Sequence, residues 1–220
     1  MEKKDSENPY FIRLKKIWVS HLSERNFQLE LSITLILLVA TLMFFTHFIN
    51  AVEAREGVEL NDPLLKLLYP INLSVFIFGL IYFSIFFGLI SFLTEPTRFI
   101  FALQGYTLLV IIRILTLYLT PLNAPANMIP LVDPIVKYFG TGQLLTKDLF
   151  FSGHTATMFF LFLISKNRKM KTFFFLGFII IAVAVLIQHA HYTIDVIAAP
   201  FFTYAAYRIV LLTREKLNFK

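Results

Sequence analysis

Long apolar stretches alternate with short polar connections along most of the chain. A helix that crosses the hydrocarbon core of a membrane needs about 20 predominantly apolar residues. Four such stretches cover residues 29–52, 69–93, 99–119 and 149–164, of which the last is the shortest. A fifth stretch of 36 residues lies between Lys171 and Arg208, and its only charge is Asp195.

The 36-residue stretch is too long for a single span. As one helix it would extend about 54 Å, whereas the hydrocarbon core of a bilayer is about 30 Å thick. It must therefore turn back once, and its length places the turn at the polar cluster Gln188-His189-Ala190-His191, although no Gly or Pro marks it. The pattern predicts an all-α polytopic membrane protein with six transmembrane helices.

Lys and Arg residues are distributed unevenly between the two predicted sides of the membrane. The side that includes both termini holds fifteen and the opposite side holds four. Because cytoplasmic connections carry the excess of Lys and Arg, both termini are predicted to be cytoplasmic. We expect a cytoplasmic N-terminal segment (1–27), a six-helix transmembrane domain (28–213) and a cytoplasmic tail (214–220). Residues 10–22 have the pattern of an interfacial amphipathic helix or of an ordinary juxtamembrane segment.

Composition supports a membrane protein and excludes several functional classes. The chain is 57% hydrophobic and 15% charged, with a mean hydropathy of +0.71. Soluble domains are about half apolar and about a quarter charged. The absence of Cys excludes disulfides, a thiol nucleophile and Cys-ligated metal centres. We attribute the net charge of +6 to topology rather than to nucleic-acid binding.

Few polar side chains lie within the apolar stretches, and such residues are costly in a membrane unless they serve a function. They are Arg113, Asp148, Ser152, His154, His189, His191 and Asp195. The predicted directions of the helices place all seven in the outer part of the bundle. The sequence therefore predicts a polar site that faces the outer side of the membrane.

The types and spacing of these residues indicate a reaction at a phosphate group. His191 and Asp195 are four residues apart and share a helical face, so the carboxylate can orient the imidazole as a nucleophile. His154 is suited to protonate a leaving group. Ser152-Gly153-His154 begins a predicted helix, where free N–H groups bind phosphate and Gly153 allows close approach.

Other interpretations of the same residues stay open at this point. Arg113 would add a fixed planar cation to the site, or would extend its charge towards the membrane surface. His189 is a candidate site residue or simply a turn residue. A histidine with a carboxylate also suits a metal, which we rank below the phosphate chemistry. The Pro-rich connection 120–147 is predicted to be an outer loop that acts as a lid or as a plain connector.

Three segments resemble the signatures of sphingomyelin synthases, a family within the type 2 phosphatidic acid phosphatase superfamily. Residues 148–155 (Asp-Leu-Phe-Phe-Ser-Gly-His-Thr) are similar to the third signature, and residues 191–196 (His-Tyr-Thr-Ile-Asp-Val) to the fourth. Residues 113–120 (Arg-Ile-Leu-Thr-Leu-Tyr-Leu-Thr) resemble the second more loosely, and His189 matches a histidine just upstream of the fourth. The resemblance spans about residues 62–207, and the superfamily's six-helix core agrees with the predicted helices.

The resemblance implies a specific activity. A phospho-headgroup would move from a glycerophospholipid to ceramide or a similar lipid alcohol through a phosphohistidine, releasing diacylglycerol, without a metal or other cofactor. The implied catalytic residues are His154, His191 and Asp195. The implied substrate-binding residues are Arg113, Asp148, Ser152, Gly153, His189 and Tyr192. The expected location is a bacterial inner membrane with the site on its outer face, and the expected partners are the two lipids and the membrane, with no nucleic acid.

The chain also departs from these families. Thr146-Lys147 and Pro200 replace a Cys-Gly and a Tyr of the synthases, and Val185 replaces an Arg that the wider superfamily usually carries before its second histidine. A terminal phosphate carries about two negative charges, so a site with few cations favours a phosphodiester. The alternatives are a lipid phosphatase or phospholipase C-like hydrolase of the same superfamily, and a lipid-binding or transport protein without activity.

Overall fold

A computed structural model describes residues 8–133 and 145–217. These ranges contain seven α-helices: α1 (Pro9–Leu22), α2 (Arg25–Ala54), α3 (Ser74–Phe92), α4 (Pro96–Leu119), α5 (Gly153–Ile164), α6 (Arg168–Ile187) and α7 (Thr193–Lys216). A 3-10 turn at Leu65–Leu67 and one isolated bridge between Val58 and Leu122 complete the regular backbone of the described part. The predicted all-α class is confirmed.

Five of these helices, α2, α3, α4, α6 and α7, are long and apolar enough to cross a membrane, which indicates an integral membrane protein. The fourth predicted span is shorter, because α5 has 12 residues and therefore a length of about 18 Å. The chain before it is not helical, since the Phe151 carbonyl accepts a hydrogen bond from Arg113 and the Ser152 N–H donates to the Asp195 carbonyl. The count of six spans stays a prediction.

The turn between α6 and α7 lies at the place predicted by length. His189 has a φ of 55°, in the left-handed region. The Ala190 N–H donates to the Val185 carbonyl and the His189 N–H to the Leu186 carbonyl, both at 2.9 Å. This pair of bonds is a Schellman motif, which usually has Gly where this chain has His189. The turn is therefore made without the residue that normally signals it, and His189 is a turn residue whatever else it does.

Helix α5 lies among α3, α4, α6 and α7 and supplies much of the core. Its residues Ala156, Met158 and Phe160 are buried against the neighbouring helices. Helix α2 packs on α4 at the periphery and leaves residues such as Ile36 and Met43 exposed, as a lipid-facing helix does.

Residues 10–22 lie within helix α1, which is joined to the end of α3 by a hydrogen bond of 2.8 Å from Trp18 Nε1 to the Leu93 carbonyl. Its position on a lipid surface stays a prediction. Near the same end of the bundle, a buried ion pair between Glu30 and Arg214 links α2 to α7. Gln104 of α4 donates to Glu30 at 3.0 Å and accepts from Arg214 at 2.9 Å.

Candidate active site

The start of α5 presents unpaired backbone donors. Ser152 is the N-cap, and its Oγ accepts hydrogen bonds from the N–H and the hydroxyl of Thr155, at 3.4 and 3.0 Å. No described residue accepts a hydrogen bond from the N–H of Gly153 or of His154. Free N–H groups and the positive end of a helix together favour an anion.

Arg113 of α4 is fixed beside these donors. Its Nη2 lies 2.7 Å from Asp148 Oδ1, and its Nε donates to the Phe151 carbonyl at 3.0 Å. Its side chain is only 12% exposed and is held by these two contacts. A Cβ on Gly153 would lie 2.5 Å from Arg113 Nη1, which is too close for any side chain. Gly153 therefore allows the guanidinium to lie against the start of α5.

The structure brings the two predicted catalytic histidines together. The ring centroids of His154 and His191 are 6.0 Å apart, although 37 positions separate them in the chain. The His154 ring packs edge-on against Phe78 at 5.4 Å, and its Nδ1 is buried with no hydrogen-bond partner in the described part. This nitrogen is thus available to a bound group.

Asp195 lies behind His191 in the first turn of α7. Its Oδ2 is 3.4 Å from His191 Nδ1 and accepts a hydrogen bond of 2.9 Å from the Tyr192 N–H. Both side chains are buried, with 1% and 0% exposure. A proton on Nδ1 directed at the carboxylate leaves the lone pair of Nε2 free, which is the form of histidine that attacks phosphorus. Because the Ser152 N–H donates to the Asp195 carbonyl, the starts of α5 and α7 are held together.

His189 and Tyr192 are held by the connections between α2 and α3 and between α4 and α5. The Tyr192 hydroxyl accepts from the Leu60 N–H at 3.1 Å and donates to the Asn123 carbonyl at 3.0 Å. His189 Nδ1 lies 3.1 Å from the Ala126 carbonyl. Both residues line an open cavity of about 840 Å³ beside the turn between α6 and α7. Their predicted roles with substrate stay predictions.

Asp62 holds the start of α7 in place, and this role was not predicted from the sequence. Its carboxylate accepts hydrogen bonds from the N–H and hydroxyl of Thr193, at 2.6 and 3.0 Å, and from the N–H groups of Leu64 and Leu65. Burial alone would raise the pKa of Asp62, but these hydrogen bonds hold the pKa below its usual value. The contact with Thr193 joins positions 131 residues apart, so no local pattern predicted it.

Gln188 is a second supporting residue that the sequence showed only as part of a polar cluster. Its fully buried side-chain amide donates to Ser74 Oγ at 2.8 Å and to the Ile129 carbonyl at 3.0 Å. Its side-chain oxygen accepts from the Leu73 N–H at 2.9 Å. Gln188 thus ties the turn between α6 and α7 to α3 and to the connection between α4 and α5.

Residues 147–211 match the family model of the PAP2 superfamily C-terminal domain. The match supports the PAP2 superfamily. The matched range includes Asp148, Ser152, Gly153, His154, His189, His191, Tyr192 and Asp195. PAP2 proteins act as phosphatases or phosphotransferases on phosphate esters, in agreement with the anion site at α5. Comparisons with curated proteins and with solved structures gave no match.

Proposed function

We propose that the protein is a membrane lipid phosphotransferase resembling sphingomyelin synthases. It would move a phospho-headgroup from a glycerophospholipid to ceramide or a similar lipid alcohol. The observation that carries the proposal is the pair of buried histidines, with ring centroids 6.0 Å apart, and the Asp195 carboxylate behind His191. The resemblance of residues 148–155 and 191–196 to the synthase signatures supports this narrower activity.

In the first step, the Nε2 lone pair of His191 attacks the phosphorus of the donor lipid. The bond from phosphorus to the diacylglycerol oxygen breaks, and His154 donates a proton to that oxygen. Asp195 stabilises the positive charge that develops on the His191 ring. Arg113 and the N–H groups of Gly153 and His154 hold the phosphoryl oxygens. Diacylglycerol leaves and the headgroup phosphate remains on His191.

In the second step, the hydroxyl oxygen of the acceptor lipid attacks the same phosphorus. Its proton passes to His154, which restores the proton given up in the first step. The bond from phosphorus to Nε2 breaks, and His191 returns to its starting form. No change of oxidation state is involved, and the headgroup ends on the acceptor.

The charge at the site favours a phosphodiester donor. Part of the charge of Arg113 is already neutralised by Asp148, at 2.7 Å. Two further cations near this end, Lys147 and Arg55, are directed at backbone carbonyls. A phosphodiester carries one negative charge and a phosphomonoester carries about two. A phosphodiester therefore needs less positive charge from the site.

The second candidate is a lipid phosphatase or phospholipase C-like hydrolase, in which water replaces the acceptor alcohol. The PAP2 match over residues 147–211 supports this hydrolase activity as much as it supports the transferase activity. The two candidates share the first step and differ only in what discharges His191.

The test uses purified protein in liposomes of phosphatidylcholine or phosphatidylethanolamine, with or without ceramide, and resolves the lipids by mass spectrometry. A transferase produces a headgroup-bearing ceramide product together with diacylglycerol, and little diacylglycerol when ceramide is omitted. A hydrolase releases diacylglycerol at the same rate in both samples. Diacylglycerol formation that persists unchanged in His154→Ala and His191→Ala would rule out this site for either activity.

A further inference from the structure

A second polar cavity lies at the other end of the helix bundle. It has a volume of about 480 Å³ and is open to the surroundings. It is formed by the start of α4, the end of α5, the start of α6 and the end of α7. Because α5 begins at the catalytic end and is about 18 Å long, the cavity is separated from the histidines by the length of that helix.

Cations outnumber anions in its lining. Four of the lining residues are basic, namely Arg98, Lys166, Lys171 and Arg214, and one is acidic, Glu95. Glu95 is shared, since it lies 2.7 Å from Arg98 and 3.2 Å from Lys166. The Lys171 ammonium lies 5.0 Å over the ring of Phe162 and has no carboxylate within ion-pair distance among the described residues. Arg214 is already paired with Glu30 of α2, so the charge left for a bound anion comes from Lys171 and from the part of Arg98 and Lys166 that Glu95 does not neutralise.

Two further features point to a ligand at this position. Ser165 lines the cavity and is only 6% exposed, yet its hydroxyl has no hydrogen-bond partner in the described ranges. A buried hydroxyl without a partner is costly unless a ligand or water satisfies it. The 24-residue helix α4 also begins here, and its N-cap residue Glu95 makes no side-chain hydrogen bond to a backbone N–H of the helix. Because Pro96 has no N–H and the N–H groups of Arg98 and Phe99 donate to the Glu95 carbonyl, α4 offers an anion its positive end rather than a set of free N–H groups.

The remaining lining includes the hydroxyl groups of Thr97, Ser165 and Tyr207. Phe101, Leu163 and Leu211 add apolar side chains. A free phosphate ion would gain nothing from these side chains, whereas the glycerol and upper acyl carbons of a lipid would pack on them. We infer that this cavity binds the phosphate group of an anionic phospholipid, in the leaflet opposite the catalytic histidines. The charge distribution predicts that this leaflet is the cytoplasmic one, where anionic lipids attract basic segments.

The connection between α5 and α6, together with the first turn of α6, provides a matched pair of variants. This segment carries four exposed cations within six residues: Lys166, Arg168, Lys169 and Lys171. Lys166 and Lys171 line the cavity, and Arg168 and Lys169 do not. The double variants Lys166→Gln/Lys171→Gln and Arg168→Gln/Lys169→Gln therefore remove the same charge from the same segment. All four positions are exposed, so neither variant disturbs the core.

The test counts lipids bound to the full chain by native mass spectrometry in detergent, with dioleoyl phosphatidylglycerol or dioleoyl phosphatidylcholine. We expect one tightly bound phosphatidylglycerol molecule per chain and weaker binding of phosphatidylcholine. The Lys166→Gln/Lys171→Gln variant should bind phosphatidylglycerol about thirty-fold more weakly, because each of the two lost cations contributes about 1 kcal/mol to binding. The Arg168→Gln/Lys169→Gln variant should stay within about threefold of the wild type. Ser165→Ala should weaken binding without lowering the unfolding temperature of the lipid-free protein.

Three results would overturn the inference. Equal losses in the two double variants would mean general attraction to a charged surface rather than a site. Equal binding of phosphatidylcholine would remove the preference for an anionic lipid. Binding of inorganic phosphate alone, with no bound phosphatidylglycerol, would assign the cavity to a soluble phosphate compound. None of these readouts depends on catalysis, so the inference stands apart from the proposed function.

Discussion

At the scale of single residues, the proposed chemistry depends on the contact between Asp195 and His191. The carboxylate fixes the ring so that Nε2 can attack, and it stabilises the charge that follows. Asp195→Asn keeps the size of the side chain but removes that charge. We expect diacylglycerol release to fall about 10³- to 10⁴-fold. The measurement is the initial rate of diacylglycerol release in proteoliposomes. The control is Glu56→Gln, at an exposed position in the connection between α2 and α3, and it should retain wild-type activity.

Gly153 offers a second residue-level prediction. In Gly153→Ala the new Cβ would displace the Arg113 guanidinium, which Asp148 and the Phe151 carbonyl otherwise hold in place. A displacement of about 1 Å at a catalytic group costs about 10²-fold in rate, and we expect a loss of that size. The control is Gly79→Ala in α3, where a Cβ meets nothing within 4 Å. That variant should keep its activity and gain up to about 1 kcal/mol in stability. Equal activity in the two variants would contradict the placement of Arg113.

The sequence predicted three residues that the structure brings together, but not the residues that support them. The four-residue spacing of His191 and Asp195 is a local signal, and the structure brings His154 to them. Asp62 and Gln188 act through contacts to Thr193 and to Ser74 that cross more than 100 positions of the chain. Such tertiary contacts leave no periodic trace in the sequence, so residue patterns could not reveal them.

At the scale of elements, the turn between α6 and α7 gives a stability prediction. A left-handed backbone costs a side chain about 1–2 kcal/mol, and glycine avoids this cost but loses about 0.5–1 kcal/mol of chain entropy. His189→Gly should therefore be more stable than His189→Ala by about 1 kcal/mol. The measurement is urea or thermal unfolding of the two variants in the same detergent. A more stable Ala variant would show that the turn does not hold His189 in this conformation.

The contact between Asp62 and the start of α7 predicts a pH dependence. The pKa of Asp62 is lower in the folded protein than in the unfolded chain, where a carboxyl has a pKa of about 3.9. Its contribution to stability is therefore complete above that value and is lost as pH falls through the lower folded pKa. Asp62→Asn should unfold at a lower temperature than the wild type at pH 7, and the difference should narrow towards pH 3. The exposed Glu56→Gln variant should follow the wild type throughout this range. A difference independent of pH would contradict the role of the carboxylate.

The boundaries of most helices could be predicted from hydrophobicity alone. The long apolar stretches correspond to α2, α3, α4, α6 and α7, because lipid-facing and core-facing positions are both apolar. Helix α5 is shorter than its apolar stretch, since hydrogen bonds from Arg113 and to Asp195 hold residues 151 and 152 outside the helix. The polar side chains of the site thus shorten α5. Hydrophobicity also overestimated α3, whose apolar stretch of residues 69–93 is helical only over Ser74–Phe92.

At the scale of the whole molecule, the distribution of Lys and Arg predicts its orientation. The chain has no Cys, so single cysteines can be introduced without removing others. We expect Glu56→Cys to react with a membrane-impermeant maleimide on intact cells, and Lys169→Cys to react only after permeabilisation. Both positions are exposed. The reverse pattern would place the catalytic end on the cytoplasmic side and overturn the predicted topology.

The molecule has two polar ends with different chemistry. At one end, the starts of α5 and α7 meet at the histidine pair. The opposite end combines the Glu30–Arg214 ion pair with the basic cavity at the start of α4. A phospholipid at that cavity would contact α4, α5, α6 and α7 together, and these helices also carry or enclose the catalytic residues.

The most direct test of the central claim is to isolate the covalent intermediate. Protein is mixed with a phospholipid labelled in its headgroup phosphate, without an acceptor, and is digested and sequenced by mass spectrometry under alkaline conditions. We predict label on His191, absent in His191→Ala, that moves to ceramide when ceramide is added. Label on another residue, or headgroup transfer that continues in His191→Ala, would contradict the account.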